Sequence, residues 1–303
     1  MRNSTLDQMK GVGIILMLIG HLFIPYLGKF IISFHMPLFF LVSGYLYKKK
    51  QNLQMFWTLF KRLMVPYIVL GFLFLICSES PVEALKSLIA AESWKMRPCV
   101  IETQAIAGVF WFLPAMFLAK LIYNFIAETR YVHIIVLVLF TIFWMVGKYT
   151  HLPLCISEGC TAMIFVHLGY MFRKYEAKVD SVQKYIYWIG VPVTVICLIF
   201  SYIEVGTSSY KFYLLDVAVA CFINYLLYRI LSRNKSENTA KVLSEIGVYS
   251  LQLLCVHVFV GVLLAQFGLA DPHEIRYATL SLILPFVFVF GVKGTPLNMI
   301  FKL

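Results

Sequence analysis

IISFHMPLFFLVSGYLY, residues 31–47, is apolar enough to lie inside a bilayer. It also carries His35 near its start and Ser43, Gly44 and Tyr45 near its end. An imidazole in such a segment is expensive to bury, so its presence needs a reason. The surroundings are of the same kind. The 303-residue chain is 61% hydrophobic and only 14% charged, whereas a soluble domain is about half apolar and a quarter charged. That balance excludes a single water-soluble core and predicts an all-α, polytopic integral membrane protein.

Ten apolar runs of membrane-crossing length follow one another, at about 11–28, 30–47, 57–77, 106–127, 131–149, 153–172, 184–203, 210–231, 246–268 and 276–293. The net charge of +11 divides unevenly between alternate connections. The set containing the N-terminus holds 18 Lys and Arg and the opposite set 7, with Lys120 inside the fourth run. By the positive-inside rule both termini are expected in the cytoplasm, and the charge excess calls for no nucleic acid. No cleavable signal peptide, internal repeat or separate soluble domain is evident, so residues 1–303 read as one transmembrane domain. The seven cysteines form no CxxC pair and no zinc-ligand spacing, and no metal is expected. Cys155 and Cys160 flank a short loop and are close enough in sequence for a disulfide.

Ionisable groups inside the membrane mark functional candidates. His21 follows Lys10 by eleven residues, nearly three helical turns, so the two share a face about 16 Å apart along the axis. The short connection around Lys29 makes the first two runs antiparallel neighbours, which can set His21 and His35 opposite each other. A buried imidazole favours its neutral form, the form a general base needs. The plain alternative is that each imidazole pairs with a carbonyl or hydroxyl. His133, His151 and His273, near span ends, take that reading, and His167 and His257 stay open between the two. These residues fit an enzyme, a proton-coupled transporter or exporter, or, less readily, a non-catalytic scaffold.

The segments LDQMKGVGIILMLIGH (6–21) and SFHMPLFFLVSGYLYKK (33–49) closely resemble the opening of the membrane-bound acyltransferase family 3 proteins, bacterial multi-pass O-acyltransferases. RLMVPYIVLG (62–71), FWFLPAMFLAKLI (110–122), FVHLGYMFRK (165–174) and IGVYSLQLLCVH (246–257) continue the resemblance in order. The resemblance implies a ten-span domain of the bacterial cytoplasmic membrane. It implies transfer of an acyl group, usually acetyl, from cytoplasmic acetyl-CoA to a hydroxyl of a sugar, polysaccharide or lipid-linked glycan. Other envelope polysaccharide biosynthesis proteins are the implied company. The family's basic residue, ten residues and a histidine fall on Lys10 and His21. Its Phe-His-Met-Pro histidine falls on His35, its basic residues before Pro-Tyr on Lys61 and Arg62, and its late-span histidine on His257.

On this reading Lys10, Lys61 and Arg62 hold the phosphates of coenzyme A, while Lys48–Lys50 reflect topology alone. His21 is the general base. His35 is its partner, a second base or an acyl-bearing nucleophile. Ser43, Tyr45 and the Trp111 indole are candidate donors to the oxyanion, each with an ordinary packing role as the alternative. The acceptor is expected on the outward loops, including 78–105, where Trp94 can stack on a sugar.

Overall fold

The computed structural model describes residues 3–22, 24, 26–77, 80–91, 108–200, 203–269, 271 and 274–293. His273, Trp94 and most of the 78–105 loop lie outside them. A helix overlaps each of the ten apolar runs. Among the described residues six helices are long and apolar enough to cross a membrane, or seven if one bent pair counts as a span. The helices are α1 (Ser4–Gly20), α2 (Leu27–Tyr45), α3 (Asn52–Leu59), α4 (Val65–Cys77), α5 (Pro81–Ala90), α6 (Phe112–Ile126) and α7 (Val132–Tyr149). They continue as α8 (Ile156–Ser181), α9 (Gln183–Phe200), α10 (Leu214–Ser232), α11 (Glu237–Val248), α12 (Ser250–Gln266) and α13 (Ile275–Gly291). Two short strands, β1 (Ile203–Glu204) and β2 (Ser209–Tyr210), pair antiparallel. The contacts group into two compact units.

The first unit comprises Met1–Phe39, Pro192–Tyr202 and Ala218–Leu303. Here α1 starts seven residues before the first apolar run, because Asn3 caps it by accepting from the Leu6 amide. Its polar first turns are buried: Asp7 is 6% and Gln8 4% exposed. The helix stops at Gly20, and Lys29 sits in the first turn of α2 rather than in the connection. α1 lies against α11, and glycine permits the approach. A Cβ on Gly247 would stand 1.8 Å from the Asp7 carbonyl oxygen, and one on Gly11 would stand 2.1 Å from that of Leu243. The α11–α12 pair bends by 66° at Tyr249. Phe34, Cys197, Val219 and Ile223 form a buried apolar cluster, and Asn224 donates to the Phe34 carbonyl at 3.1 Å.

The second unit comprises Phe40–Val191 and Ile203–Val217. Its centre is α8, buried from Ser157 through His167 and packed on α6 and α7. A helix buried on all sides must let its neighbours approach the backbone. Small residues provide this: a Cβ on Gly44 would meet the Val166 carbonyl at 1.9 Å, and one on Gly169 that of Leu41 at 2.0 Å. Between α3 and α4 the chain makes a π-turn, Phe60–Met64. Pro66 has no N–H to donate, and the Val65 N–H reaches back five residues to Phe60. Asn124 fastens the 46–52 connection. Its Oδ1 accepts from Tyr47 and Lys50, and its Nδ2 donates to Lys50 and Asn52.

Candidate active site

His21 is the C-cap of α1, and its Nδ1 lies 2.8 Å from the Met17 carbonyl. His35, in α2 and 5% exposed, repeats the arrangement with the Ile31 carbonyl at 2.9 Å. A carbonyl only accepts, so in each neutral ring the proton sits on Nδ1 and the lone pair on Nε2. Each helix thus presents a fixed tautomer with one basic nitrogen turned away from its own backbone. The two imidazoles are electrostatic neighbours.

His257 of α12 joins them. Its ring centroid is 5.1 Å from that of His21, edge-on at 60°. The Leu253 and Leu254 carbonyls lie close to His257, yet neither ring nitrogen makes a well-directed hydrogen bond. A buried imidazole without such a bond suits a partner that arrives with a substrate. The first unit therefore brings His257 to His21 and His35, from far away in sequence. Lys10, on α1, holds Asp7 at 2.6 Å while its side chain stays 21% exposed.

The other candidates belong to the second unit. Lys61 and Arg62 are both exposed and ride on the π-turn. Arg62 and Lys50 are the electrostatic neighbours of Lys120, a partly buried lysine in α6. Three cations with a shared field favour a multiply charged anion. Lys50 and Lys120 received no role from the sequence; the sign of Lys120 was its charge within an apolar run. Ser43 is partly buried in α2. The Tyr45 hydroxyl donates to Glu176 at 2.7 Å, which commits its proton to that carboxylate. Trp111 is 8% exposed and packs edge-on against Phe112.

Among the described residues the remaining histidines, His133, His151 and His167, have polar partners. His133 Nδ1 is 2.9 Å from His167 Nε2, and His167 Nδ1 is 3.1 Å from the Tyr123 hydroxyl. His151 faces Glu158 and the Ala90 carbonyl. Cys155 and Cys160 are both free thiols, not a disulfide.

No curated protein and no solved structure matches the chain. A family model described as an acyltransferase domain matches residues 3–293, from the N-cap of α1 to just past α13. With that match running over nearly the whole helical chain, the protein belongs to acyltransferase family 3 and is a membrane acyltransferase.

Proposed function

We propose that the protein moves an acetyl group from cytoplasmic acetyl-CoA to a hydroxyl of a cell-envelope sugar, polysaccharide or lipid-linked glycan. It does so in the bacterial cytoplasmic membrane, with both termini inside. The observation that carries this reading is the pair of imidazoles locked by the Met17 and Ile31 carbonyls, each with Nε2 free to accept a proton.

An acceptor hydroxyl is a weak nucleophile at neutral pH, so its proton must leave as the new bond forms. His21 Nε2 takes that proton while the hydroxyl oxygen attacks the thioester carbonyl. The Nδ1–H bond to Met17 holds the ring in place as it becomes imidazolium. The carbon–sulfur bond then breaks, and the imidazolium returns the proton to the departing thiolate. The products are an O-acetyl ester and free coenzyme A. His35 and His257 supply polar contacts to the reacting groups. In the second unit Lys61 and Arg62, joined by Lys50 and Lys120, are the candidates to hold the coenzyme A phosphates by charge-assisted contacts, and in the first unit the candidate is Lys10. Lys10 carries Asp7 as a counter-charge, which keeps a buried carboxylate paired when no substrate is present.

The test is transfer of label from radiolabelled acetyl-CoA to envelope glycans in membranes containing the protein. At equal membrane abundance, His21→Ala should lower transfer about 10²–10⁴-fold, the ordinary contribution of a general base. Full transfer by that variant would remove His21 from the chemistry. Absence of label transfer by the wild-type protein to any envelope fraction would overturn the donor and acceptor classes.

A further inference from the structure

α10 buries a polar side chain that has as yet no part in acyl transfer. Asn224 lies in the middle of this apolar helix of membrane-crossing length and is 3% exposed. A polar group at that depth is expensive and marks a functional candidate. It received no role from the sequence, because it is uncharged.

Its hydrogen bonds fix which way the amide faces. Nδ2 donates to the Ala220 carbonyl at 2.9 Å and to the Phe34 carbonyl at 3.1 Å. Both partners only accept, so the nitrogen must face them and Oδ1 must face away. Both carbonyls also lie inside helices, where the backbone ladder already supplies a donor. The two bonds therefore orient Asn224 rather than rescue a stranded carbonyl. Oδ1 itself is buried and has no hydrogen-bond partner among the described residues. A buried acceptor left without a donor costs stability and calls for an explanation. Leucine would fill similar space without that cost.

The neighbourhood of this oxygen points to its partner. Phe34 and Ile223 belong to one buried cluster, against which Leu16 packs. Phe34 precedes His35, Ile223 precedes Asn224, and Leu16 precedes Met17, whose carbonyl holds His21. Asn224 thus stands around the same cluster as the segments that carry the two imidazoles, all within the first unit.

We infer that Asn224 Oδ1 accepts a hydrogen bond from the acyl donor, from the pantetheine amide N–H nearest the thioester. The inference rests on acetyl-CoA as the donor. In coenzyme A that N–H is two methylenes from the sulfur, so it enters the membrane whenever the thioester reaches His21. There it needs an acceptor from the protein. The chemistry matches one to one. The N–H gives a single bond, and Asn224 offers an acceptor oxygen with both of its own hydrogens spent. A sugar hydroxyl would also bring lone pairs, which Nδ2 has no hydrogen left to serve. Asn224 is a binding residue on this account: it sets the depth of the thioester and makes or breaks no covalent bond.

The test is calorimetric binding, to full-length protein in detergent, of acetyl-CoA and of its isostere with an ester oxygen in place of that N–H. Wild-type protein should bind the isostere about 10–100-fold more weakly, because the bond is lost and two acceptor oxygens face each other. Asn224→Leu should weaken acetyl-CoA and bring the two affinities together. Equal binding of both compounds by wild-type protein, as an enclosed water on Oδ1 would give, overturns the inference and leaves the donor class standing. A difference that survives in monodisperse Asn224→Leu overturns it as well. Binding of neither compound by wild-type protein overturns the inference and the donor class together.

Discussion

Gly247→Ala sets two effects of opposite sign against each other. Intrinsic helix propensity favours alanine over glycine by about 1 kcal/mol, so an open position in α11 would be stabilised. Gly247 is not open. Its Cβ would stand 1.8 Å from the Asp7 carbonyl oxygen and 2.9 Å from the Gly11 nitrogen. Real Cβ atoms essentially never come within 3.0 Å of a neighbour. The helices must part by about 1.2 Å, the difference between 3.0 and 1.8 Å. Both obstructing atoms are backbone, so no rotamer change relieves the contact. Overpacking costs about 1–3 kcal/mol or more when neighbours can give a little, and here they cannot. The clash wins, with a net loss of about 2 kcal/mol or more after the propensity gain. At roughly 2–4 °C per kcal/mol, Tm in detergent should fall by about 4–8 °C or more. Transfer should fall as well, because α1 carries Lys10 and His21, and a displacement of about 1 Å can cost 10²-fold in rate. Gly291→Ala is the internal control, since its added Cβ meets nothing within 4 Å. A Gly247→Ala protein with the Tm of Gly291→Ala, or above wild type, would refute the close crossing of α1 and α11.

Asn124→Ala removes an amide that makes four hydrogen bonds to the 46–52 connection, and should cost about 2–3 kcal/mol in chemical denaturation. Asn124→Asp, which loses the two donations, should be nearly as damaging; wild-type stability in both would show that the connection does not depend on this side chain. Phe140→Ala leaves a cavity under Tyr210 and Tyr213 and should cost about 3–5 kcal/mol, read as the shift in Tm. Lys120→Ala should raise KM for acetyl-CoA with kcat little changed, whereas Lys120→Arg keeps the charge and should stay close to wild type; an unchanged KM in the alanine variant would detach Lys120 from donor binding. His257→Ala should reduce kcat more than KM, and equal losses in both would mark it as a binding residue instead.

The helices were legible because apolar length is a property of one segment at a time. Every long run contains one, and the eleven-residue spacing of Lys10 and His21 needed only helical geometry. What escaped required distant segments to meet. α5 is too short and polar for a hydropathy scan, and its terminal carbonyls acquire meaning only beside His151. The polar start of α1 looked like a connection until α11 covered it, and α11 itself fell in a charged stretch before the apolar run at 246–268. Lys120 was visible as a charge in the membrane, but its company, Lys50 and Arg62, lies 70 and 58 residues away in sequence. The π-turn had a local sign in Pro66, one turn after the basic pair.

That wide turn also resets the angular phase of the chain. Each residue advances a helix by about 100°, so one extra residue in a turn rotates everything beyond it by that amount relative to an unbroken helix. The side-chain stripe of α3 and that of α4 are therefore indexed independently, although the chain between them never leaves helical conformation. Lys61 and Arg62 sit at the reset itself. Removing one residue from Phe60–Met64 would leave the composition of the span almost untouched, yet it would swing the whole of α4 around its axis with respect to the two cations.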